Sequence, residues 1–242
     1  MQSFPKRLLQ FFLPPQCYCC QKFLDEGEQG LCSSCFSGIR WIGPPFCSVC
    51  GIPFVSAEVE SHRCGHCLTK KKYFTMGRAL GYYEGSLREA IHRWKYQGKS
   101  YLTSLFGEWM AETMSRYWDP SSIELIIPVP LHPQRLRERG FNQALLLAKE
   151  LSRRTGIPCR KRLLRKGRST LPQVSLSGSE RERGVKGVFK LAPGEEVEGR
   201  SILLIDDVYT TGATVNECAK VLVAHGAKRV DVFTVAHAVP TE

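Results

Sequence analysis

The sequence predicts a mainly parallel α/β sheet flanked by helices, preceded by a small metal-binding domain. From residue 76 onward, segments typical of strands alternate with segments typical of helices, which is the pattern of parallel sheets. Before residue 68, eight cysteines form four C-x-x-C pairs. We therefore expect two domains, a cysteine-rich one over residues 1–75 and a sheet domain over residues 76–242.

Residues 1–75 are short of periodic apolar segments and rich in Cys, Gly and Pro, so this region needs a metal to fold. It begins MQSFPKRLLQFFLPPQ, in which basic residues precede a short apolar stretch without a small-residue cleavage site. This favours an amphipathic lead-in helix over a signal peptide. Without an export signal, metal binding in the reducing cytoplasm is a better interpretation of the cysteines than disulfide bonding.

Each C-x-x-C pair places two thiolates on one tight turn, and two pairs complete a tetrahedral zinc site. The gaps between successive pairs, eleven and thirteen residues, fit two zinc ribbons in series. We expect two structural Zn²⁺ sites paired in sequence order, with an interleaved arrangement as the alternative. The ligands are Cys17, Cys20, Cys32 and Cys35, then Cys47, Cys50, Cys64 and Cys67. The residues expected not to be ligands are Cys19, His62, His66, Cys159 and Cys218.

The sheet domain opens with a strand, RALGYYE, and two helices with amphipathic spacing, SLREAIHRWKYQ and YLTSLFGEWMAETMSRYW. A short buried strand closed by prolines follows, ELIIPVPL, and then a helix with a terminal glycine, FNQALLLAKELSRRTG. The last elements are a buried strand, a helix and a final strand: RSILLIDDV, ATVNECAKVLVAHGA and RVDVFTVAHA. No apolar run reaches the ~18 residues of a membrane-spanning helix.

A phosphate-binding turn is predicted after the strand that contains Ile202–Ile205. That strand delivers Asp206 and Asp207 at its carboxyl end, where open α/β sheets bind ligands. The next turn, TTGAT, leads into a helix whose first N–H groups can surround a phosphate, and Gly212 permits close approach. Two carboxylates beside such a turn suit the hydroxyls of a sugar phosphate, with Mg²⁺ nearby.

The segment ILLIDDVYTTGAT resembles the 5-phosphoribosyl pyrophosphate (PRPP) motif of type I phosphoribosyltransferases. The resemblance implies their fold and places Asp206 and Asp207 at the ribose hydroxyls. Around the 5′-phosphate it places Thr210, Thr211, Gly212, Ala213 and Thr214. It also implies a pyrophosphate loop, which we assign to Lys95, Tyr96, Gly98 and Lys99; a helix end at Gly98 with solvated lysines is the alternative. A mobile closing loop is expected from Lys166 to Gly184.

The chain has a net charge of +11, which favours polyanionic partners. Residues 153–168 contain eight basic residues and no acidic one, so they form either a solvated basic surface or a nucleic-acid surface. We predict single-stranded DNA contacts at Arg135, Arg137, Arg139, Arg160, Lys161, Arg162, Arg165, Lys166 and Arg168. The alternative assigns Arg135–Arg139 to pyrophosphate, because they follow the strand that ends at Pro130.

Over essentially the whole chain the sequence resembles the ComF family. The matching motifs are FLPPQC, LCSSC, CSVCG, WKYQG, IPVPLHPQRLRERGFNQA, ERERGVKGVF and LLIDDVYTTGAT. The resemblance implies a cytoplasmic role in natural transformation, handling single-stranded DNA beside a ComF-operon helicase and other transformation proteins. Three interpretations of the pocket stay open. The protein binds PRPP·Mg²⁺ while it holds DNA, or it is an active phosphoribosyltransferase with Asp206 and Asp207 as catalytic residues and a nucleobase-like acceptor, or the pocket is vestigial.

Overall fold

The computed structural model describes residues 14–56, 60–97, 100–167 and 187–239. Its strands are β1 (Met76–Tyr82), β2 (Leu125–Pro128), β3 (Leu164–Lys166), β4 (Phe189–Leu191), β5 (Ser201–Tyr209) and β6 (Arg229–His237). Four of them form one sheet in the order β1-β6-β5-β2, and all neighbouring pairs are parallel. The carboxyl ends of these strands therefore meet at one edge of the sheet. Ligands of open α/β sheets bind at this edge, and the sequence places the candidate site there.

The helices are α1 (Ser33–Ser37), α2 (Gly65–Thr69), α3 (Gly85–Gln97), α4 (Ser100–Tyr117), α5 (Pro133–Arg139), α6 (Gln143–Thr155) and α7 (Ala213–Ala224), with a 3₁₀ turn at Pro120–Ser122. The apolar periodicity predicted α3, α4, α6 and α7. Helix α5 was not predicted, because its sequence PQRLRER has a single apolar residue. Its first turn is capped by the His132 ring, and it ends at Gly140 with a φ of 76°.

The sheet is covered on both faces, and β5 shows how its sequence achieves this. Alternate residues of a strand point to opposite faces. Leu203 packs in an apolar cluster with residues of α3, α4 and α6. Leu204 packs in a second cluster with residues of α7. Because both faces of β5 are buried, its sequence is a continuous apolar run rather than an alternating one.

The cysteine-rich region packs directly on the sheet domain. Backbone hydrogen bonds join the two, from the Gly77 N–H to the Val49 carbonyl (2.6 Å) and from the Ile42 N–H to the Leu80 carbonyl (2.9 Å). Cys32 lies in the same apolar cluster as the α3 helix, and Cys50 lies in the cluster that includes Tyr209. The boundary between residues 75 and 76 stays a prediction. No helix among the described residues is long and apolar enough to cross a bilayer.

Strands β3 and β4 form an antiparallel ribbon beside the main sheet, which the sequence did not predict. These strands have three residues each, too few to show a period. The predicted closing loop runs between them and lies outside the described residues, except for Lys166 and Gly167. The predicted lead-in helix also lies outside, since the description begins at residue 14.

Candidate functional site

The eight predicted zinc ligands form two groups. In each group the four sulfur atoms lie within 4.8 Å of one another, and the groups pair in sequence order. The members are Cys17, Cys20, Cys32 and Cys35 in the first group and Cys47, Cys50, Cys64 and Cys67 in the second. The Cys20–Cys32 and Cys50–Cys64 sulfurs are 3.7 Å apart. Zinc–sulfur bonds of ~2.3 Å in a tetrahedron separate neighbouring sulfurs by ~3.8 Å, so both groups fit Zn²⁺.

Backbone donors support one thiolate in each group. The N–H groups of Cys19 and Cys32 donate to the Cys17 sulfur at 3.4 and 3.3 Å. The N–H groups of Cys50 and Cys64 donate to the Cys47 sulfur at 3.5 and 3.3 Å. Hydrogen bonds to a thiolate stabilise its charged, metal-binding form. Four thiolates fill a tetrahedral site, so these are structural rather than catalytic positions.

The residues expected not to be ligands lie outside both groups. The Cys19 thiol is buried and donates to the Ser86 carbonyl at 3.6 Å. The His62 ring stacks on Phe54 with centroids 4.3 Å apart. His66 belongs to neither sulfur group. Cys218 is fully buried on α7, as an ordinary core cysteine would be.

Asp206 and Asp207 lie at the carboxyl end of β5 and form an acidic pair with one close cation. The Lys95 ammonium lies 2.6 Å from a carboxylate oxygen of Asp207, and both side chains are largely buried. The Asp207 N–H donates to the Asp206 carboxylate at 2.9 Å. Burial and the neighbouring charge of Asp207 raise the pKa of Asp206 to about 7. The pair therefore favours a further hydrogen-bond donor or cation.

The residues predicted for the pyrophosphate loop have different surroundings in the structure. Lys95 contacts the acidic pair, as described above. Tyr96 is 62 % exposed, and its hydroxyl accepts a hydrogen bond from Arg139 at 3.4 Å. Gly98 and Lys99 lie outside the described residues. The end of α3 thus reaches both the acidic pair and the end of α5.

The turn predicted to bind phosphate leads directly into a helix, as its sequence TTGAT predicts. Gly212 adopts a φ of 73° and precedes the first residue of α7, Ala213. A Cβ atom at position 212 would collide with the Tyr209 hydroxyl. The Ala213 N–H donates a hydrogen bond to the Thr211 hydroxyl oxygen at 3.3 Å. Gly212 has no side chain with which to cap α7, so the N–H groups of the following turn are suited to an anion.

The second cysteine group and the chain that follows it contact the residues on either side of this turn. The Tyr209 ring stacks on His237 with centroids 4.5 Å apart and packs in the same apolar cluster as Cys47 and Cys50. The Asn216 side chain accepts a hydrogen bond from the Tyr73 N–H at 2.8 Å and donates one to the Lys71 carbonyl at 3.3 Å. Sequence reasoning missed Tyr209 and Asn216, because only the folded chain brings residues 47–73 to α7.

The segment between β2 and α6 lies beside the strand that bears the acidic pair, since β2 pairs with β5. Its end is fixed by Asn142, whose side chain caps α6 and donates to the Val129 carbonyl at 3.0 Å. Arg139 donates a hydrogen bond to the side-chain oxygen Oε1 of Gln143 at 3.4 Å. Among the described residues, His132 Nε2 and Gln143 Nε2 are buried without a hydrogen-bond partner. Unpaired buried polar atoms are rare, so this segment is suited to a polar ligand.

The basic run of residues 153–168 separates into three parts. Arg153 and Arg154 are paired with Glu150 at 2.7 Å each, so they are not free cations. Lys166 is half-buried. Burial and the charge of Arg135 lower the pKa of Lys166, and Asp206 acts in the opposite sense. The remaining described members are exposed, namely Arg160, Lys161, Arg162 and Arg165. Arg168 lies outside the described residues.

Comparisons with known proteins match both parts of the chain. A family described as "Double zinc ribbon domain" matches residues 8–68, and one described as "Phosphoribosyl transferase domain" matches residues 142–240. "Competence protein F" of Haemophilus influenzae is 32% identical over 92% of this chain and 97% of its own. "DNA utilization protein YhgH" of Shigella flexneri is 32% identical, over 91% and 96%. "Competence protein ComFC" of Bacillus subtilis is 30% identical, over 88% and 86%.

Proposed function

The chain belongs to the ComF family, and on this premise we propose that it binds PRPP and single-stranded DNA in DNA uptake and processing during natural transformation. The observation that supports this most directly is the carboxyl edge of the sheet. There an acidic pair, a lysine and a glycine-containing turn at a helix N-terminus lie together, a donor set for a sugar phosphate rather than for phosphate alone.

We assign the parts of PRPP by charge. The turn from Thr210 to Thr214 takes the 5′-phosphate, because helix N-termini bind anions. Asp206 and Asp207 take the ribose hydroxyls, which can donate to carboxylates. Mg²⁺, when bound with the ligand, would neutralise the pyrophosphate oxygens and relieve the repulsion between the two carboxylates.

For pyrophosphate we favour the segment between β2 and α6 over the end of α3. The charge of Arg135 lowers the pKa of Lys166, and the charge of Asp206 raises it. Both groups therefore lie near Lys166. The unpaired nitrogen of His132 lies in the same segment, and that of Gln143 lies at the first residue of α6. Lys95, by contrast, is engaged with Asp207. Arg135–Arg139 therefore serve the sugar-phosphate pocket in this proposal, and Lys95 stabilises the acidic pair.

For single-stranded DNA we retain the exposed cations that follow α6. Arg160, Lys161, Arg162 and Arg165 form no ion pair with another described residue. Such cations contact phosphates without reading base sequence. The names of the relatives, which refer to competence and DNA utilization, favour DNA as the polyanion. The cytoplasm and a ComF-operon helicase are the setting and the partner that the family implies.

The test of DNA binding is fluorescence anisotropy with a labelled single-stranded oligonucleotide and its duplex. We expect salt-sensitive binding that prefers the single strand and weakens about tenfold or more in Arg160→Gln/Lys161→Gln/Arg162→Gln, because three phosphate contacts are lost. Wild-type protein that fails to bind the oligonucleotide at low salt would refute the DNA part of the proposal.

An active phosphoribosyltransferase is the second candidate, favoured by the cations Lys166 and Arg135 near the acidic pair, which suit a pyrophosphate leaving group. Pyrophosphate release from PRPP, measured with and without oligonucleotide and nucleobases, separates the two functions. Release that depends on an acceptor and is lost in Asp206→Asn/Asp207→Asn identifies an enzyme. PRPP binding without release identifies a ligand-responsive DNA-binding protein.

A further inference from the structure

A second cationic surface lies where the chain leaving the second cysteine group meets α7. It consists of Lys71, Tyr73 and Lys220, which we call the Tyr73 patch. The Lys71 ammonium lies 5.0 Å from the centre of the Tyr73 ring, and the Lys220 ammonium lies 5.9 Å from it. Two cations that are 149 residues apart in sequence thus converge on one aromatic ring. Neither belongs to the basic run of residues 153–168.

The patch is held in place by the two hydrogen bonds of the Asn216 side chain to the backbone of Lys71 and Tyr73, which we call the Asn216 clip. Asn216 and Lys220 are four residues apart on α7, so they lie on the same face of that helix. The Asn216 N–H donates to the Gly212 carbonyl at 2.9 Å, which joins the clip to the phosphate-binding turn. The backbone that carries Lys71 and Tyr73 is therefore fixed beside the sugar-phosphate pocket, while both lysine side chains are exposed to solvent.

The charge of the patch is not compensated within the described part of the chain. Lys71 and Lys220 are both exposed, and neither forms an ion pair with a described residue. Attraction to the Tyr73 ring offsets part of the repulsion between the two ammonium groups, but both remain positive. The sequence around the patch is also basic, since residues 60–73 contain four Lys or Arg and one Glu. An anionic group placed between the two lysines would remove the remaining repulsion.

From this geometry we propose that the Tyr73 patch is a contact surface for the backbone of single-stranded nucleic acid, in addition to the exposed cations of residues 160–165. Lysine contacts phosphate as a compact point charge and does not read bases through a bidentate fork, which suits a strand of arbitrary sequence. The proposal rests on the proposed function, because DNA is chosen over an acidic peptide by the family to which the chain belongs. It adds a path for the strand along the second cysteine group and α7.

The test uses Lys71→Gln/Lys220→Gln in the full, zinc-loaded chain, with labelled oligo-dT in an anisotropy titration at several salt concentrations. We expect a roughly tenfold loss of affinity at low salt. We also expect the slope of log K against log [salt] to fall in magnitude by about 1.4, since each phosphate contact on a single strand contributes ~0.7. The charge-conserving variant Lys71→Arg/Lys220→Arg should keep both the affinity and the slope.

The matched control is Lys149→Gln/Lys228→Gln, which removes the same charge from two exposed lysines elsewhere. The control should keep most of the wild-type affinity, and all variants should retain two zinc ions per chain and the wild-type melting temperature. Equal losses in the patch variant and the control would overturn the inference, because general charge would then explain binding. Loss of polyglutamate binding with unchanged oligo-dT binding would assign the patch to an acidic peptide and also overturn it. Wild-type protein without oligo-dT affinity would instead refute the proposed function itself.

Discussion

Asp206 lies buried in the carboxyl-terminal half of β5 next to a second carboxylate, and both conditions disfavour its ionisation. Its pKa rises from 3.8 to about 7, first through burial and then through the charge of Asp207. The folded state therefore holds a proton over a pH range in which the unfolded state has lost it. Stability contributed by this group falls as pH rises from about 4 to about 7, because a raised acid pKa opposes folding once the group is deprotonated.

We predict that Asp206→Asn makes the ligand-free protein more stable than wild type above pH 7 and has little effect near pH 4. The gain is at most a few kcal/mol, since each pKa unit corresponds to about 1.4 kcal/mol. Thermal melting between pH 4 and pH 9 measures it. Asp207→Asn, which leaves Lys95 without its 2.6 Å partner, should show no such gain. Parallel pH profiles for wild type and Asp206→Asn would contradict the assigned environment.

The turn between β5 and α7, which we propose binds phosphate, depends on a glycine for two reasons. Gly212 has a positive φ of 73°, and a Cβ there would meet the hydroxyl of Tyr209. Gly194 has a similar φ of 76° but open space around it. Alanine at position 194 introduces backbone strain alone, whereas alanine at position 212 adds a collision with Tyr209. Comparing the two substitutions therefore separates these two costs.

We predict that Gly212→Ala destabilises the protein by about 2–3 kcal/mol and abolishes PRPP binding, because the turn must shift away from Tyr209. Gly194→Ala is the control, with a loss of about 1 kcal/mol and unchanged PRPP affinity. Chemical denaturation and calorimetric titration give the two quantities. If Gly212→Ala binds PRPP as tightly as Gly194→Ala, the turn is not the phosphate site.

The elements that could be predicted from sequence are those with a local signal. Helix α7 and strand β5 show clear apolar patterns, and the C-x-x-C pairs identified both sulfur groups together with their pairing order. Helix α5 and the β3–β4 ribbon have no such pattern. The hydrogen bonds of Asn216 depend on residues more than 140 positions away in sequence, which no local pattern reports. The basic run looked continuous because Glu150, which pairs with its first two members, lies just before it on the preceding turn of α6.

At the scale of the whole molecule, the cysteine groups are parts of the same core as the sheet. The first group packs with α3 and α4, and the second packs with β5 and α7. Zinc loss should therefore affect the entire chain rather than a tethered module.

We predict that removing zinc with a strong chelator at neutral pH lowers the melting temperature of the whole protein by roughly 10 °C or more in one cooperative transition. The physical reason is that metal-binding free energy is folding free energy for such sites, and the core they share extends into the sheet. Calorimetry and near-UV circular dichroism, which reports the packing of Trp94 and Trp118, measure the effect. A sheet transition that is unchanged without zinc would show that residues 76–242 fold independently.

We propose that PRPP binds at the carboxyl edge of β5, and calorimetric titration of PRPP with Mg²⁺ measures this binding. Asp206→Ala/Asp207→Ala should lose at least tenfold in affinity while keeping two zinc ions per chain. The control Glu195→Ala/Glu196→Ala removes two adjacent carboxylates outside the site and should bind like wild type. PRPP affinity that is unchanged in Asp206→Ala/Asp207→Ala, or absent from the wild-type protein, would contradict the account.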